Sequence, residues 1–145
     1  MLLCSIMSVV GIRCLLMATA SLPRPDLLAH REALRLPMSI VVSRLVEMIG
    51  KKLTAYIGGV KDVRAVDRWM AGSELYSNAD TRLRFAFQVA KTIGEHDSSA
   101  VIQAWFTGVN PELGDRVPIR LLREGDIDAV APAILGAARA FLAGG

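Results

Sequence analysis

Hydrophobic positions along this chain recur with a helical period, and no segment alternates strictly between apolar and polar residues over the length of a strand. From Met38, the residues Val41, Val42, Leu45, Met48 and Ile49 fall on one face of a 3.6-residue helix, which Gly50 and the pair Lys51–Lys52 end or loosen. A short segment, Leu53–Ile57, is closed by Gly58-Gly59. A third runs from an Asp62 N-cap to Trp69–Ala71, with Gly72 at its C-cap. Asn78 with Asp80 opens a helix whose inner face is Leu83, Phe87, Ala90 and Ile93, ended by Gly94. Ser98 or Asp97 caps another, with Val101, Ile102, Trp105 and Phe106 inward and Gly108 as its stop.

After the Asn110-Pro111 turn, Pro118 fits the first turn of a short helix, Ile119–Arg123, ended by Gly125. The last helix carries Val130, Ile134, Leu135, Ala138, Phe141 and Leu142. A start capped by Asp128 places Pro132 in the first turn, where its missing N–H matters least. A start at Asp126 would force a kink, so the later start is expected. The pattern predicts an all-α fold without internal repeats.

The first twenty residues, MLLCSIMSVVGIRCLLMATA, are apolar and end in ATA, loosely like a signal-peptide cleavage site. No Lys or Arg precedes the apolar run, however, and Arg13 interrupts it; the run is also short and broken for a membrane span. SLPRPDLLAHREALRLP follows, and its three prolines read as linker. Residues 1–37 are therefore expected to be an extension or linker outside the folded domain, disordered or upstream of a truer start at Met17 or Met38. A signal peptide and a packed N-terminal helix are the alternatives.

The chain has 145 residues, 52% hydrophobic and 21% charged, which suits one domain or two very small ones and excludes wholesale disorder. Net charge is +3, unevenly spread: residues 38–91 carry nine Lys or Arg against five Asp or Glu, and residues 92–145 carry four against seven. A basic middle can meet phosphate, which an acidic end disfavours. The two cysteines, Cys4 and Cys14, form neither a CxxC nor a Cys/His cluster, so a reduced cytoplasmic protein without a metal site is expected.

Residues 53–72, LTAYIGGVKDVRAVDRWMAG, have the layout of a helix-turn-helix. Ala55 is small where two helices would cross, Gly59 supplies the turn, Val60 plugs the core, and Val66 and Trp69 anchor the second helix. Lys61, Arg64 and Arg68 then face outward, with Lys51 and Lys52 nearby, as candidate contacts to DNA bases and phosphates. The alternative is that Lys61, Arg64 and Arg68 form a solvated face with Asp62 and Asp67 as partners. The spacing from Gly59 to Trp69 is slightly longer than the usual pattern of the motif.

AWFTGVNPELGDRVPIRLLREG, residues 104–125, holds a Trp–Phe pair, two prolines and three glycines but no catalytic arrangement. Glu112, Asp115, Glu124, Asp126 and Asp128 are scattered around turns and caps rather than paired as acid and base, and His30 and His96 have no metal partners at useful spacing. The segment offers a shaped surface and no visible chemistry, so an enzyme is not expected.

WFTGVNPELG (105–114), PIRLLREG (118–125) and the Ala-rich closing helix resemble the antitoxin/toxin-binding domain of the Xre/MbcA/ParS family. Upstream, YIGGVKD from Tyr56, RWMAG from Arg68 and RLRFAF from Arg82 follow that family's layout. The resemblance covers roughly residues 40–145, and residues 1–37 lie outside it.

It implies a helix-turn-helix DNA-binding region over residues 38–94 and a toxin-binding domain over residues 95–145, in an antitoxin whose partner is a RES-domain toxin that consumes NAD. Blocking of the toxin active site, repression of its own operon and a homodimer or larger toxin–antitoxin assembly are implied, with no cofactor and no membrane. Toxin-facing candidates are Trp105, Asn110, Pro111, Leu113 and Gly114, then Pro118, Leu121, Leu122 and Gly125. Trp105, Leu121 and Leu122 would mainly build the domain. The tail, with Phe141, Leu142, Gly144 and Gly145, would enter or cover the toxin pocket. The rival reading is a stand-alone helix-turn-helix regulator whose C-terminal half dimerises.

Overall fold

The glycine- and proline-punctuated apolar runs form eight α-helices and a 3-10 turn in a computed structural model that describes residues 24–144. The helices are α1 (Pro25–Arg35), α2 (Met38–Ile49), α3 (Lys51–Ile57), α4 (Arg64–Met70), α5 (Ser77–Gly94), α6 (Ser99–Thr107), α7 (Pro118–Glu124) and α8 (Ile127–Leu142), with the 3-10 turn at Pro111–Leu113. Among the described residues there is no strand; an isolated bridge pairs Asn110 with Arg116. The expectation for residues 1–20, Cys4 and Cys14 lies outside the described residues, as does Gly145.

α5 is the axis. Leu83, Ala86, Phe87, Val89, Ala90 and Ile93 are buried on more than one side of it, because α1, α2, α6 and α8 all pack against it. A single buried cluster reaches from Ala33 to Ala138 and includes residues of both the basic middle and the acidic end. Trp105 and Phe106 meet edge to face within it, their ring centroids 5.4 Å apart at 89°.

Part of the linker expected before residue 38 is a helix. Pro25 sits in the first turn of α1, where its fixed φ is favourable, and Ala29 and Ala33 bury a small-residue face against α5. Polar contacts reinforce this docking. Arg84 of α5 donates from Nη1 to the carbonyls of Ala33 (2.6 Å) and Leu36 (3.0 Å), capping the end of α1. Glu32 pairs with Arg44 of α2 and Lys91 of α5. Asp26 is buried; desolvation alone would raise its carboxyl pKa, but hydrogen bonds and positive charge from Arg139 and Arg24 outweigh that and hold it below 3.8.

The start of α8 also differs from expectation. Asp126, not Asp128, is the N-cap, its carboxylate accepting from the Asp128 N–H at 3.3 Å. Pro132 therefore lies inside the helix rather than in its first turn. Pro132 is exposed to solvent, so its ring displaces no core packing.

Between α3 and α4 the chain turns through residues 58–63. Gly59 adopts φ +81°, and the Val60 N–H bonds back to the Ala55 carbonyl at 3.1 Å, a Schellman ending that directs Val60 toward the core. Gly58 lies so close to the indole of Trp69 that a Cβ there would sit 2.6 Å from its Cη2. α4 ends the same way, with Gly72 at φ +99° and the Ser73 N–H on the Arg68 carbonyl.

Candidate partner groove and basic cleft

Two concavities on the described surface each bring candidate residues together. The first, of about 500 Å³, runs between α6, the 108–112 turn and the end of α8. Val101, Ala104 and Trp105 form one wall and Ala137, Ala140 and Phe141 the other. The alanines are too short to fill the space between the two helices. Asn110 shapes the floor: its side-chain oxygen accepts from the Glu112 N–H at 3.0 Å, and its backbone carbonyl accepts from Asp115 at 3.0 Å. Consecutive left-handed residues, Gly114 at φ +64° and Asp115 at φ +58°, complete the turn.

The groove is apolar and unfilled. Val109 is 64% exposed and Phe141 38% exposed at its rim. The indole Nε1 of Trp105 is buried without an acceptor among the described residues, which leaves a polar group unsatisfied beside this space. Glu112 is the charged residue in the lining. The surface has the composition of a binding patch, with an aromatic and aliphatic centre and little charge.

Of the toxin-facing candidates, Trp105, Asn110, Pro111 and Phe141 come together in this groove. Leu113, Pro118 and Leu122 are buried and offer no surface to a partner, while Leu121 and Leu142 are half-buried. Gly114 is exposed at the turn. Gly125 is placed by packing, since a Cβ there would lie 2.6 Å from the Leu121 carbonyl oxygen. Gly144 is exposed after α8, and Gly145 lies outside the described residues. Val109, Ala137 and Ala140 were not among the candidates. The spacing of Ala137, Ala140 and Phe141 on one face of α8 was their only trace in sequence.

The second concavity, of about 520 Å³, is lined by Lys52 of α3, Lys61 of the turn and Arg123 of α7, around Tyr56. Arg123 lies over the Tyr56 ring, 4.5 Å from its centroid, and donates from Nη1 to the Tyr56 carbonyl at 2.8 Å. Lys51 points elsewhere and pairs with Asp67 at 2.5 Å. Arg64 and Arg68 are exposed on α4, and the Asp62 carboxylate accepts from the Arg64 N–H at 2.9 Å just ahead of the helix. Sequence reasoning missed Arg123, which lies in the segment of net negative charge.

Among the described residues no helix is long and apolar enough to cross a membrane, and no cluster of His, Cys, Asp or Glu could hold a metal ion. His30 is instead bonded to Gln88 of α5, Nδ1 to Oε1 at 3.1 Å. No protein family, curated protein or solved structure matches the chain.

Proposed function

We propose that this protein is the antitoxin of a toxin–antitoxin pair: it neutralises a RES-type, NAD-consuming toxin by occluding its active site, and it represses its own operon through a helix-turn-helix made of α3 and α4. It acts in the cytoplasm without catalysing a reaction, as a homodimer or within a larger complex with toxin. The observation that carries the reading is the unfilled apolar groove. It brings Trp105, Asn110, Pro111 and Phe141, drawn from two separate stretches of the resemblance, to one surface. A partner side chain inserted between Phe141 and Trp105 would be a buried anchor at the centre of the interface. For the DNA-binding part, support comes from the tight approach of Gly58 to Trp69 and from the outward Arg64 and Arg68. The turn of residues 58–63 is longer than the usual three to four residues of the motif.

The test is co-expression with a RES-type protein encoded beside this chain. Restored growth and co-purification are expected for the wild type, and loss of both for Phe141→Asp. A wild type that neither binds nor protects overturns the antitoxin reading. A groove filled by a second copy of this chain, with no toxin bound, would favour the stand-alone regulator.

A further inference from the structure

We propose that the cleft framed by Lys52, Lys61 and Arg123 over Tyr56 holds a backbone phosphate of duplex DNA, so that α7, from the acidic C-terminal half, takes a direct part in nucleic-acid binding. This rests on the DNA-binding part of the proposed function and adds to it a contact outside the helix-turn-helix.

Three cations line this cleft and no carboxylate does. Lys52, Lys61 and Arg123 have no ion-pair partner among the described residues, whereas Lys51, next in sequence to Lys52, is held by Asp67. Like charges gathered without a counter-charge repel one another, and an anion between them relieves that repulsion. Between the cations the lining is apolar, with Ala55, Val60 and Val63.

Arg123 is also fixed in advance. One of its five N–H groups is committed to the Tyr56 carbonyl and its Cζ lies over the Tyr56 ring, two contacts that restrict where its remaining donors point. A guanidinium ordered before binding loses little further side-chain entropy when phosphate arrives. The cleft opens beside the turn that leads into α4, whose Arg64 and Arg68 are the candidate base and phosphate contacts. A duplex lying along α4 would therefore bring an adjacent phosphate to it.

The experiment is fluorescence anisotropy of a mixed-sequence duplex DNA with the full chain, over a series of salt concentrations. Arg123→Ala is expected to weaken binding by about tenfold and to lower the salt slope by about one. Arg123→Lys should keep the slope, because the charge remains. Arg120→Ala removes the same charge from the same helix, but Arg120 lies outside the cleft against Glu124, and binding should stay at the wild-type level.

Circular dichroism spectra matching the wild type accompany each variant. Binding that responds to Arg64→Ala with Arg68→Ala but not to Arg123→Ala overturns the cleft and leaves the helix-turn-helix reading standing. A wild type that binds no duplex overturns both. Displacement of the DNA by ATP at matched ionic strength would overturn the duplex assignment in favour of a free nucleotide.

Discussion

Asp26, at the start of α1, accepts a hydrogen bond from Arg139 Nε near the end of α8, 3.0 Å away and 113 positions along the chain. The carboxylate is buried while the guanidinium is half-exposed, so the pair joins a desolvated charge to one that still sees water. Arg24 reaches the same oxygen at 3.3 Å. This ion pair thereby ties the first described helix to the last.

Asp26→Asn should lower stability at neutral pH by about 1–3 kcal/mol, because a charge-assisted contact is lost and a polar group stays buried with poorer partners. The pH dependence has a definite sign. The folded carboxyl titrates below its ordinary 3.8, so its contribution is complete above that value and disappears as pH falls through the folded pKa. Urea denaturation at pH 7 and pH 3 checks this: the gap between wild type and Asp26→Asn should shrink at the lower pH. A gap that widens on acidification would show that Asp26 is not held as the anion.

Gly58→Ala tests the junction of α3 and α4. Its Cβ would meet the ring of Trp69 at 2.6 Å, and Trp69 is itself buried, so the indole has little room to give way. The expected cost is about 1–3 kcal/mol from overpacking, seen as a lower thermal midpoint. The change should reduce DNA binding as well, because α4 must shift relative to α3. Gly72→Ala, where open space surrounds the missing Cβ but φ is +99°, should also destabilise the protein, through backbone strain alone.

Much of this architecture was legible before the fold was seen. Val41, Val42, Leu45 and Ile49 marked α2, Leu83, Phe87, Ala90 and Ile93 marked α5, and Gly59, Gly72, Gly94, Gly108 and Gly125 fell at or beside helix ends. α1 was missed because Pro23, Pro25 and Pro37 read as linker, although Pro25 starts a helix as readily as it interrupts one. Its buried apolar residues are only Ala29 and Ala33, too small to give a strong apolar period. The start of α8 was missed because exposure of Pro132, which makes it tolerable inside a helix, is a tertiary fact. The groove was half legible. Trp105 and Phe141 stood out, but a cavity is made by what alanines fail to fill, and no residue pattern reports an empty space. Arg123 looked like an ordinary helix-ending cation until α7 packed beside Tyr56.

Pro132→Ala should raise stability. Pro132 is exposed within α8, so its removal sacrifices no core packing, and alanine supplies the N–H missing from the helical ladder. Proline in a helix interior is disfavoured by about 3 kcal/mol relative to alanine, and part of that is offset by the greater freedom of the unfolded chain. A rise in the thermal midpoint is expected, with partner binding unchanged because Pro132 does not line the groove. A lower midpoint would mean that the proline fits a bend that α8 requires.

Filling the groove separates its role in folding from its role in binding. Ala140→Leu places a larger side chain in space that the protein leaves open, between Phe141 and the wall at Trp105 and Val101. Because that volume is unoccupied, the thermal midpoint should stay close to that of the wild type, and burial of added methyl groups against Phe141 could raise it slightly. A partner anchored in the same space would be excluded, so association measured by calorimetry should weaken by at least tenfold, roughly the loss of one well-buried anchor. Val109→Ser, at the exposed rim, should weaken association less and leave folding untouched. If Ala140→Leu binds the partner as the wild type does, the contact surface lies elsewhere and the apolar groove is only a gap between two helices. If instead it fails to fold, α6 and α8 already approach too closely for a partner side chain to enter. The two measurements together therefore decide whether the space between Trp105 and Phe141 is a site.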